Sequence, residues 1–537
     1  MIERLAYLWP EIALFVTTCV VMVLGLSPSR PTRKLSAVVS GFGVLAALVL
    51  AVLTTPHGDA VTHPGGQTLL PDLPRYAKVV IAGVGLLLLM LAAGTVDRAD
   101  EDRIAAGVQK FDPLRSNRAE FYAFFLFSLT GLMLCASASD LVWLFLALEL
   151  TSLPSYIMVA ISTSRARSQE ASVKYFFLGA MGAAIFLMGF VFIYGGTGST
   201  NLNVIAESIA RSGVNSITML GLLLSFIGLG FKIAAVPMHF YTADVYEGAA
   251  PQVSAFLAFV PKTAGFIAMA LLAAAVGWTH GPEGQSLPPE IRMTLWVMAA
   301  LTMTVGNVLA IWQTSIKRML AYSSIAHSGY MLVGLIAGPG AGPGAENGLS
   351  AVMFYLLAYG VTNAGAFAVL ACLERRQADG EPIEIDRFAD LKGLCKTHPV
   401  LGWVMVLCAL SLLGFPPLLG FFAKVPLFTS GIAAGEIPLV IVLGVNSAIA
   451  AFYYLRLVQA SFLEAPDRDV APMDVAPFAS RQAAGVLSAT GVVLLVAASG
   501  WLFAQSGRAG TPDRRDDRGV IRTPTEKPAD GRFEATP

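Results

Sequence analysis

Long apolar stretches, each about as long as a bilayer core is thick, dominate this chain. They recur almost without pause from Ile12 to Phe503, and a helix needs roughly 20 apolar residues to cross the hydrocarbon core. Of the 537 residues, 55% are hydrophobic and only 13% are charged, which is too little charge to cover a soluble globule of this size. The sequence therefore predicts an all-α integral membrane protein that crosses the bilayer many times.

The alternation of apolar runs and polar breaks predicts about 14 transmembrane helices. Their expected centres lie near residues 18, 44, 86, 129, 150, 183, 228, 264, 303, 328, 361, 415, 450 and 494. The first span directly follows Met1-Ile-Glu-Arg, without the basic region and cleavage site of a signal peptide, so we expect it in the mature protein. After Gln505 the chain is polar and rich in Pro, Arg and Asp, and we expect a disordered tail over 506–537.

Basic residues are distributed unevenly between the two sets of connections. If the N-terminus lies outside, most Lys and Arg of the connections fall on the inner side, including Arg30, Lys34, Lys317 and Arg318. Short cytoplasmic loops retain Lys and Arg. This distribution predicts a multi-pass protein of the bacterial inner membrane with both termini on the outer side.

Several kinds of chemistry lack their usual sequence signals. The five cysteines do not show the close CxxC spacing of zinc or iron–sulfur sites. The chain has no GxGxxG after a strand, no P-loop and no GxSxG elbow, and its zero net charge argues against nucleic acid. We therefore expect that this chain holds no metal or cofactor and carries out no redox step itself.

Ionisable side chains inside the predicted spans are the strongest functional signal. An unpaired charge at mid-bilayer costs about 2.5 to 3.5 kcal/mol on insertion scales, so such groups need partners or water. In general, burial lowers the pKa of a lysine and raises that of a glutamate, which lets both exchange protons near neutral pH. The pattern predicts a proton relay. The residues concerned are Glu149, Lys174, Lys232, Lys262, Lys424 and Arg456.

Each of these residues also has a structural interpretation. Glu149 is the only carboxylate in its span and could form an ion pair that only fixes helix packing. Lys174 lies near the start of its span, four residues after Glu170, and could extend to the membrane surface. Of two histidines in or beside the spans, His327 is the better relay candidate because hydroxyl residues surround it in the sequence. His239 could instead cap a broken helix.

Prolines interrupt two of the predicted spans close to lysines. Pro237 follows Lys232, and the pair Pro416 and Pro417 precedes Lys424. Proline removes a helical hydrogen bond and breaks or kinks the helix. Broken helices in corresponding halves are typical of inverted repeats that line an ion site.

The spacing of charged residues supports such a repeat. Lys232 and Lys424 are 192 residues apart, and Lys262 and Arg456 are 194 apart. We predict two inverted repeats of five helices, each containing a proline-broken helix. The predicted regions are 1–120 with three helices and a cytoplasmic loop, 121–277 and 293–463 as the two repeats, 464–505 with the last transmembrane helix, and 506–537 as the tail.

Several strings along the chain are specific enough to indicate a family. They are Glu149-Leu-Thr-Ser-Leu-Pro154, Glu170-Ala-Ser-Val-Lys174, Asp244-Val-Tyr-Glu-Gly248, Val260-Pro-Lys262, Ser323-Ser-Ile-Ala-His327 and Gly420-Phe-Phe-Ala-Lys424. Together they resemble subunit N of proton-translocating NADH:quinone oxidoreductase, complex I, which belongs to the antiporter-like membrane subunits. The resemblance spans most of the chain.

The resemblance implies a fold of fourteen helices and specific roles for four residues. Glu149 would pair with Lys232, and Lys262 would pass protons towards Lys424. It also implies partner membrane subunits on both sides, with NADH, FMN, iron–sulfur clusters and quinone bound in partner subunits.

The chain departs from the family pattern at a few positions. Phe240, Tyr241 and Ala243 lie where the family usually has a tryptophan and a proline, and Leu418 replaces a usual threonine. Two alternatives to a complex I subunit stay open here: a subunit of a multisubunit Mrp-type cation/proton antiporter, and a scaffold that only seals the membrane. The scaffold would not need ionisable groups at mid-bilayer.

Overall fold

The structure is a computed structural model that describes most of the chain. The described residues are 7–54, 69–113, 116–163, 166–280, 285–340, 344, 346–376, 382–466 and 473–512. The predicted tail from residue 513 onwards lies outside them.

The described residues are overwhelmingly helical, as the apolar pattern predicts. The helices are α1 Trp9–Gly25, α2 Arg30–Thr54, α3 Leu73–Leu91, α4 Arg98–Ala105, α5 Arg118–Ala136, α6 Leu141–Ser162, α7 Ala166–Thr197, α8 Leu202–Ser212, α9 Ser216–Lys232, α10 Thr242–Gly248, α11 Pro251–Val276, α12 Pro289–Ile311, α13 Ile316–Ala337, α14 Gly348–Cys372, α15 Leu394–Thr397, α16 Pro399–Leu413, α17 Leu419–Ala433, α18 Ile437–Val458, α19 Ala479–Leu494 and α20 Ser499–Ala509. A π-helical turn, Gln459–Leu463, extends α18.

Length and composition identify the helices that could cross a membrane. Among the described residues, 10 helices are long and apolar enough, or up to 11 if α19 and α20, which are bent by 91° to each other, form one span. Shorter apolar helices are α1, α9, α16 and α17. Thirteen of the predicted span centres lie within helices, whereas the centre near residue 415 lies in the break between α16 and α17.

The two proline-containing breaks differ in where they place their lysines. Lys232 is the last residue of α9, before the break that contains Pro237, whereas Lys424 lies within α17, after Pro416 and Pro417. Pro237 and Pro416 are 416 − 237 = 179 residues apart, not 192. The lysine spacing therefore does not measure the spacing of the breaks.

Helix α11 forms the centre of the bundle. Every residue of its most apolar 18-residue stretch is buried, as is 94% of the corresponding stretches of α13 and α14. By contrast, only 33% of those stretches in α2, α7 and α18 are buried, and α2 exposes apolar side chains such as Phe42 at 67%. An apolar exterior suits contact with lipid, and Lys262 of α11 and His327 of α13, each 2% exposed, are shielded by other helices of the same chain.

Two glycine contacts bring neighbouring helices into backbone contact. A Cβ atom added to Gly189 of α7 would lie 2.6 Å from the carbonyl oxygen of Gly221 in α9, and one added to Gly306 of α12 would lie 2.7 Å from the amide nitrogen of Ala326 in α13. Small residues permit such close helix packing within membranes. The contacts fix the positions of the helices that carry Lys232 and His327.

A small sheet connects two of the loops. Strands β1 Leu373–Arg376, β2 Pro382–Glu384 and β3 Asp474–Val475 form a sheet in the order β2-β1-β3. β1 pairs antiparallel with both neighbours, with Glu374 opposite Glu384 and Leu373 opposite Val475. The loop after α14 is thereby joined to the loop before α19.

The last helices differ from the expected single span followed by a tail. α20 continues to Ala509, into the stretch predicted to be disordered, so that prediction is wrong for 506–509. The reason is contact with the start of α14: the side chains of Asn347 and Ser350 donate hydrogen bonds to the carbonyl oxygens of Gly510 and Gly507.

Candidate functional site

A buried ion pair joins α6 and α9. Lys232 Nζ lies 3.0 Å from Glu149 Oε1 and donates to Ser152 Oγ at 2.5 Å. The Lys232 side chain is 2% exposed and that of Glu149 is 18% exposed. Helix α6 is capped at its start by Asp140, whose carboxylate accepts from the amides of Val142 and Trp143. The pair satisfies the lysine inside the membrane and leaves the carboxylate partly open.

A small polar cavity separates Lys232 from a second lysine, Lys262. Both lysines line it, together with Tyr175, Tyr241 and Thr242. The cavity leaves about 10 Å³ for the centre of a water molecule, which is close to the room that one water needs, and polar groups line it. Ala234 also lines the cavity and has a left-handed φ of +57°, a conformation that residues other than glycine rarely adopt. The side chains of Lys232 and Lys262 therefore face one common cavity of about the size of a water molecule.

Lys262 has only neutral partners among the described residues. Its Nζ donates to the backbone carbonyl of Ser324 and to Ser324 Oγ, the latter at 2.6 Å, and lies 5.3 Å from the ring centre of Tyr359. The residue is 2% exposed. Its contacts are therefore neutral hydrogen-bond acceptors and an aromatic ring, with no carboxylate among them in the described part of the chain.

His327 lies one helical turn after Ser324 on α13 and is held between two tyrosines. Its Nδ1 is 2.6 Å from Tyr355 Oη and its Nε2 is 2.9 Å from Tyr454 Oη. A neutral imidazole donates through one ring nitrogen and accepts through the other. The ring is thus placed to take up a proton on one side and release one on the other. Tyr454 continues to Ser323 by another hydrogen bond.

Lys424 is a third buried lysine, on α17. Its Nζ donates to the carbonyl oxygen of Leu413, the last residue of α16, at 2.7 Å, where the partial negative charge of the helix C-terminus favours a cation. It also lies 5.2 Å from the ring centre of Tyr330. Gly414 makes this approach possible: its φ is +87°, and an added Cβ would lie 2.9 Å from Lys424 Cδ.

Lys174 is not part of this buried series. Its side chain is 42% exposed and pairs with Glu170 at 2.8 Å and with Asp244 at 2.9 Å. Arg318 of α13 also binds Asp244, at 2.8 Å, and Glu247 at 2.9 Å. These exposed ion pairs connect α7, α10 and α13, and they place Lys174 at the surface.

Two other candidates also lie apart from the buried series. His239 is nearly buried in the break after α9, and its Nδ1 has no hydrogen-bond partner among the described residues. Arg456 donates to the carbonyl oxygen of Gln313 at 3.1 Å and stacks over the Phe388 ring. Arg456 therefore joins α18 to the segment after α12 and to the segment before α15.

The sequence patterns missed several polar residues. Tyr355 and Tyr454 give no signal in the sequence beyond a hydroxyl in an apolar span. Lys78, which the sequence analysis did not single out, is 0% exposed inside α3, where it pairs with Glu11 of α1 at 2.8 Å. This pair escaped detection because its members are 67 residues apart and near span ends. Among the described residues, no group of three or more His, Cys, Asp or Glu is placed to hold a metal ion.

The bundle has a central helix, two proline-containing breaks and buried lysines, and its fold is that of the antiporter-like membrane proteins. The family described as NADH:quinone oxidoreductase/Mrp antiporter, transmembrane region, matches residues 138–450. NADH-quinone oxidoreductase subunit N of Halorhodospira halophila is 36% identical over 91% of this chain and 94% of its own length. The chain belongs to the NADH-quinone oxidoreductase subunit N family.

Solved structures share the fold. A chain of respiratory complex I from Thermus thermophilus superimposes with a TM-score of 0.73 at 31% identity, covering 94% of this chain and 100% of that one. A chain of the Mrp complex from Dietzia sp. gives a TM-score of 0.74 at 22% identity, covering 95% and 97%. The second likeness is one of fold alone.

Proposed function

We propose that this chain translocates protons as a membrane subunit of NADH:quinone oxidoreductase. The observation that carries the proposal is the set of ionisable side chains in the interior of the bundle, one partly buried and four buried: Glu149, and Lys232, Lys262, His327 and Lys424. Their contacts and the cavity are those described above. Intramembrane ionisable groups placed in this way are typical of proton relays.

The proton moves from a charged pair, Glu149 and Lys232, to groups that have only neutral hydrogen-bond partners among the described residues. Glu149 supplies the counter-charge for Lys232, and a water in the cavity passes the proton between the amines of Lys232 and Lys262. Ser324 and the tyrosine-bound His327 continue the route to Lys424. Two positive charges repel each other strongly in a medium of low dielectric. Protonation of one lysine therefore favours the loss of the proton from the next.

In this proposal the redox chemistry takes place in partner subunits. The other complex I membrane subunits flank the chain, and NADH, FMN, the iron–sulfur clusters and the quinone bind elsewhere in the complex. Support comes from the names of the relatives, which are subunits of a quinone oxidoreductase. The chain itself acts as a non-redox part of that enzyme.

The proposed topology has fourteen spans. The eleven candidate spans become fourteen if α1, the pair α9 and α10, and the pair α16 and α17 each cross the membrane. We propose that 121–277 and 293–463 are inverted repeats, each with one broken helix beside a lysine. The excess of basic residues in alternate connections favours both termini on the outer side of the inner membrane.

An Mrp-type antiporter subunit is the second candidate. It would use the same fold, and the matching family includes both kinds of protein. The curated relatives at 34–39% identity are NADH-quinone oxidoreductase subunits, which favours the first candidate.

The proposal is tested by the ratio of protons pumped to electrons transferred in vesicles that contain Lys232→Ala. We expect assembled complex, continued quinone reduction and a lower ratio, with partial recovery in Lys232→Arg, because arginine keeps the counter-charge of Glu149. The control is Lys396→Ala, which removes an exposed lysine of α15. A normal ratio in Lys232→Ala would refute the relay and favour the scaffold interpretation.

A further inference from the structure

A second cavity lies away from the buried lysines, at the ends of four helices. It has a volume of about 420 Å³ and lies where α2 and α5 begin, α3 ends and α19 begins. All four are candidate spans or part of the bent pair, so the cavity lies at one end of the bundle of spans, and α4 contributes Arg98, Glu101 and Asp102 to its lining. We call this cavity the basic headgroup pocket. Its charged lining residues are Arg30, Lys34, Arg98, Arg118, Glu101 and Asp102.

The charge balance of the basic headgroup pocket favours an anion. Four cations and two carboxylates line it, which leaves a net charge of 4 − 2 = +2 among the lining residues. Arg30 is paired with Asp102 at 3.0 Å, and Arg98 is paired with Glu374, outside the lining, at 2.7 Å. Glu101 is already bound by Arg33 at 2.8 Å, by Arg30 at 3.3 Å and by Arg118 at 3.6 Å. Lys34 is exposed and has no ion-pair partner within the described ranges. A cation therefore remains available at the edge of the pocket.

The rest of the pocket is apolar and continues onto a lipid-facing helix. Tyr122 and Phe478 line its interior. Below Lys34, an exposed apolar stripe follows the same face of α2, because steps of four and three residues return to one side of a helix. The stripe consists of Val38 at 51%, Phe42 at 67%, Leu45 at 45% and Val49 at 48% exposure.

We propose that the basic headgroup pocket binds the phosphate of an anionic phospholipid whose acyl chains lie along the apolar stripe of α2. Basic pockets between membrane helices recognise anionic headgroups, and the stripe supplies the apolar contact that a free phosphate would not use. The lipid would connect α2 with the starts of α5 and α19. This site is independent of the proton route.

The test uses the assembled, purified complex, stripped of loosely held lipid and then mixed with vesicles of phosphatidylglycerol or of phosphatidylcholine. Lipid retained after repurification is measured by mass spectrometry. We expect phosphatidylglycerol to be retained in preference to phosphatidylcholine. Lys34→Ala should lower its retention by about fivefold, the effect of one cation near a lipid surface, because it breaks no ion pair. The matched control is Lys110→Ala, an exposed lysine outside the pocket.

A second variant distinguishes a lipid from a free anion. Phe42→Ser should lower phosphatidylglycerol retention while leaving the pocket's charges unchanged. The proposal is overturned if inorganic phosphate displaces the lipid completely, if phosphatidylcholine is retained equally, or if Lys34→Ala behaves like Lys110→Ala. It is also overturned if no lipid is retained because a partner subunit covers the pocket.

Discussion

His327 shows how single residues make the interior of this bundle polar without adding net charge. Both ring nitrogens have hydroxyl partners, Tyr355 and Tyr454, and the three side chains come from α13, α14 and α18. Burying a polar group costs free energy unless it is hydrogen-bonded. The two tyrosines therefore stabilise the ring and, in the proposed function, also connect it to the next groups.

The hydroxyls beside His327 are tested by Tyr355→Phe and Tyr454→Phe. We expect either change to slow proton translocation at least about tenfold, because proton transfer through a positioned group loses its partner. Stability should fall by about 1 to 3 kcal/mol, because each change leaves one buried ring nitrogen of His327 without its partner. The initial rate of proton translocation into vesicles measures the first effect, and thermal unfolding of the complex measures the second.

Tyr322→Phe is the control for these variants, since Tyr322 is half-buried and no hydrogen bond of its hydroxyl is found among the described residues. Equal rates in all three variants would contradict a role for the hydroxyls.

Residue types revealed the charged members of the site but not their contacts. A lysine in an apolar run is conspicuous, so Lys232, Lys262 and Lys424 could be identified directly. Tyr355 and Tyr454 could not, because tyrosine is common in spans and the distance to His327 depends on how three helices pack. The surface position of Lys174 depends likewise on Asp244, 70 residues away.

At the scale of elements, glycines determine where two helices of the bundle approach most closely. Gly306 of α12 faces the backbone of α13 so closely that an added Cβ would also lie 2.9 Å from the carbonyl oxygen of Tyr322. Such a contact sets the height and rotation of α13 in the bundle. His327 immediately follows Ala326, the residue in contact, so its position depends on this glycine.

We expect Gly306→Val to destabilise the bundle by about 1 to 3 kcal/mol or more, as overpacking does, and to reduce proton translocation in whatever complex assembles. The measurements are the amount of assembled complex and its thermal stability. Gly83→Val of α3 is the matched control, because an added Cβ there meets nothing within 4 Å. If both variants assemble and unfold alike, the close approach of α12 and α13 does not matter.

Element positions followed from the sequence better than element ends did. Apolar length located the helices, and the prolines located both breaks. The side of each break on which the lysine falls was not predictable, because proline marks where a helix is interrupted but not which half carries the charge. The 91° bend after α19 gave no proline signal: residues 495–498 are Leu-Val-Ala-Ala.

For the whole molecule, the accessibility of the five cysteines to a labelling reagent can test the proposed membrane topology. Cys135, Cys372 and Cys408 are buried, Cys19 is exposed on the apolar helix α1, and Cys395 is half-buried in α15. A water-soluble maleimide should therefore label Cys395 alone.

We expect this labelling to occur from the cytoplasmic side only, if both termini lie outside. Burial raises the pKa of the Cys395 thiol above its usual value of 9.0. Since the thiolate reacts, labelling should be slow at neutral pH and should accelerate as the pH rises above 9.0. Inside-out and right-side-out vesicles are compared by mass spectrometry, with Cys395→Ser as the control. Labelling from the outer side would reverse the proposed orientation.

The complete enclosure of α11 has a consequence for how the protein is made. Ribosomes deliver helices to the membrane in chain order, so α11 emerges before α13 and α14, which later cover it. Until they arrive, Lys262 must face lipid or the insertion machinery at a cost of about 2.5 to 3.5 kcal/mol. The apolar residues around it have to offset that cost. The lysine at the centre of the finished bundle is thus also the hardest residue of α11 to insert during synthesis.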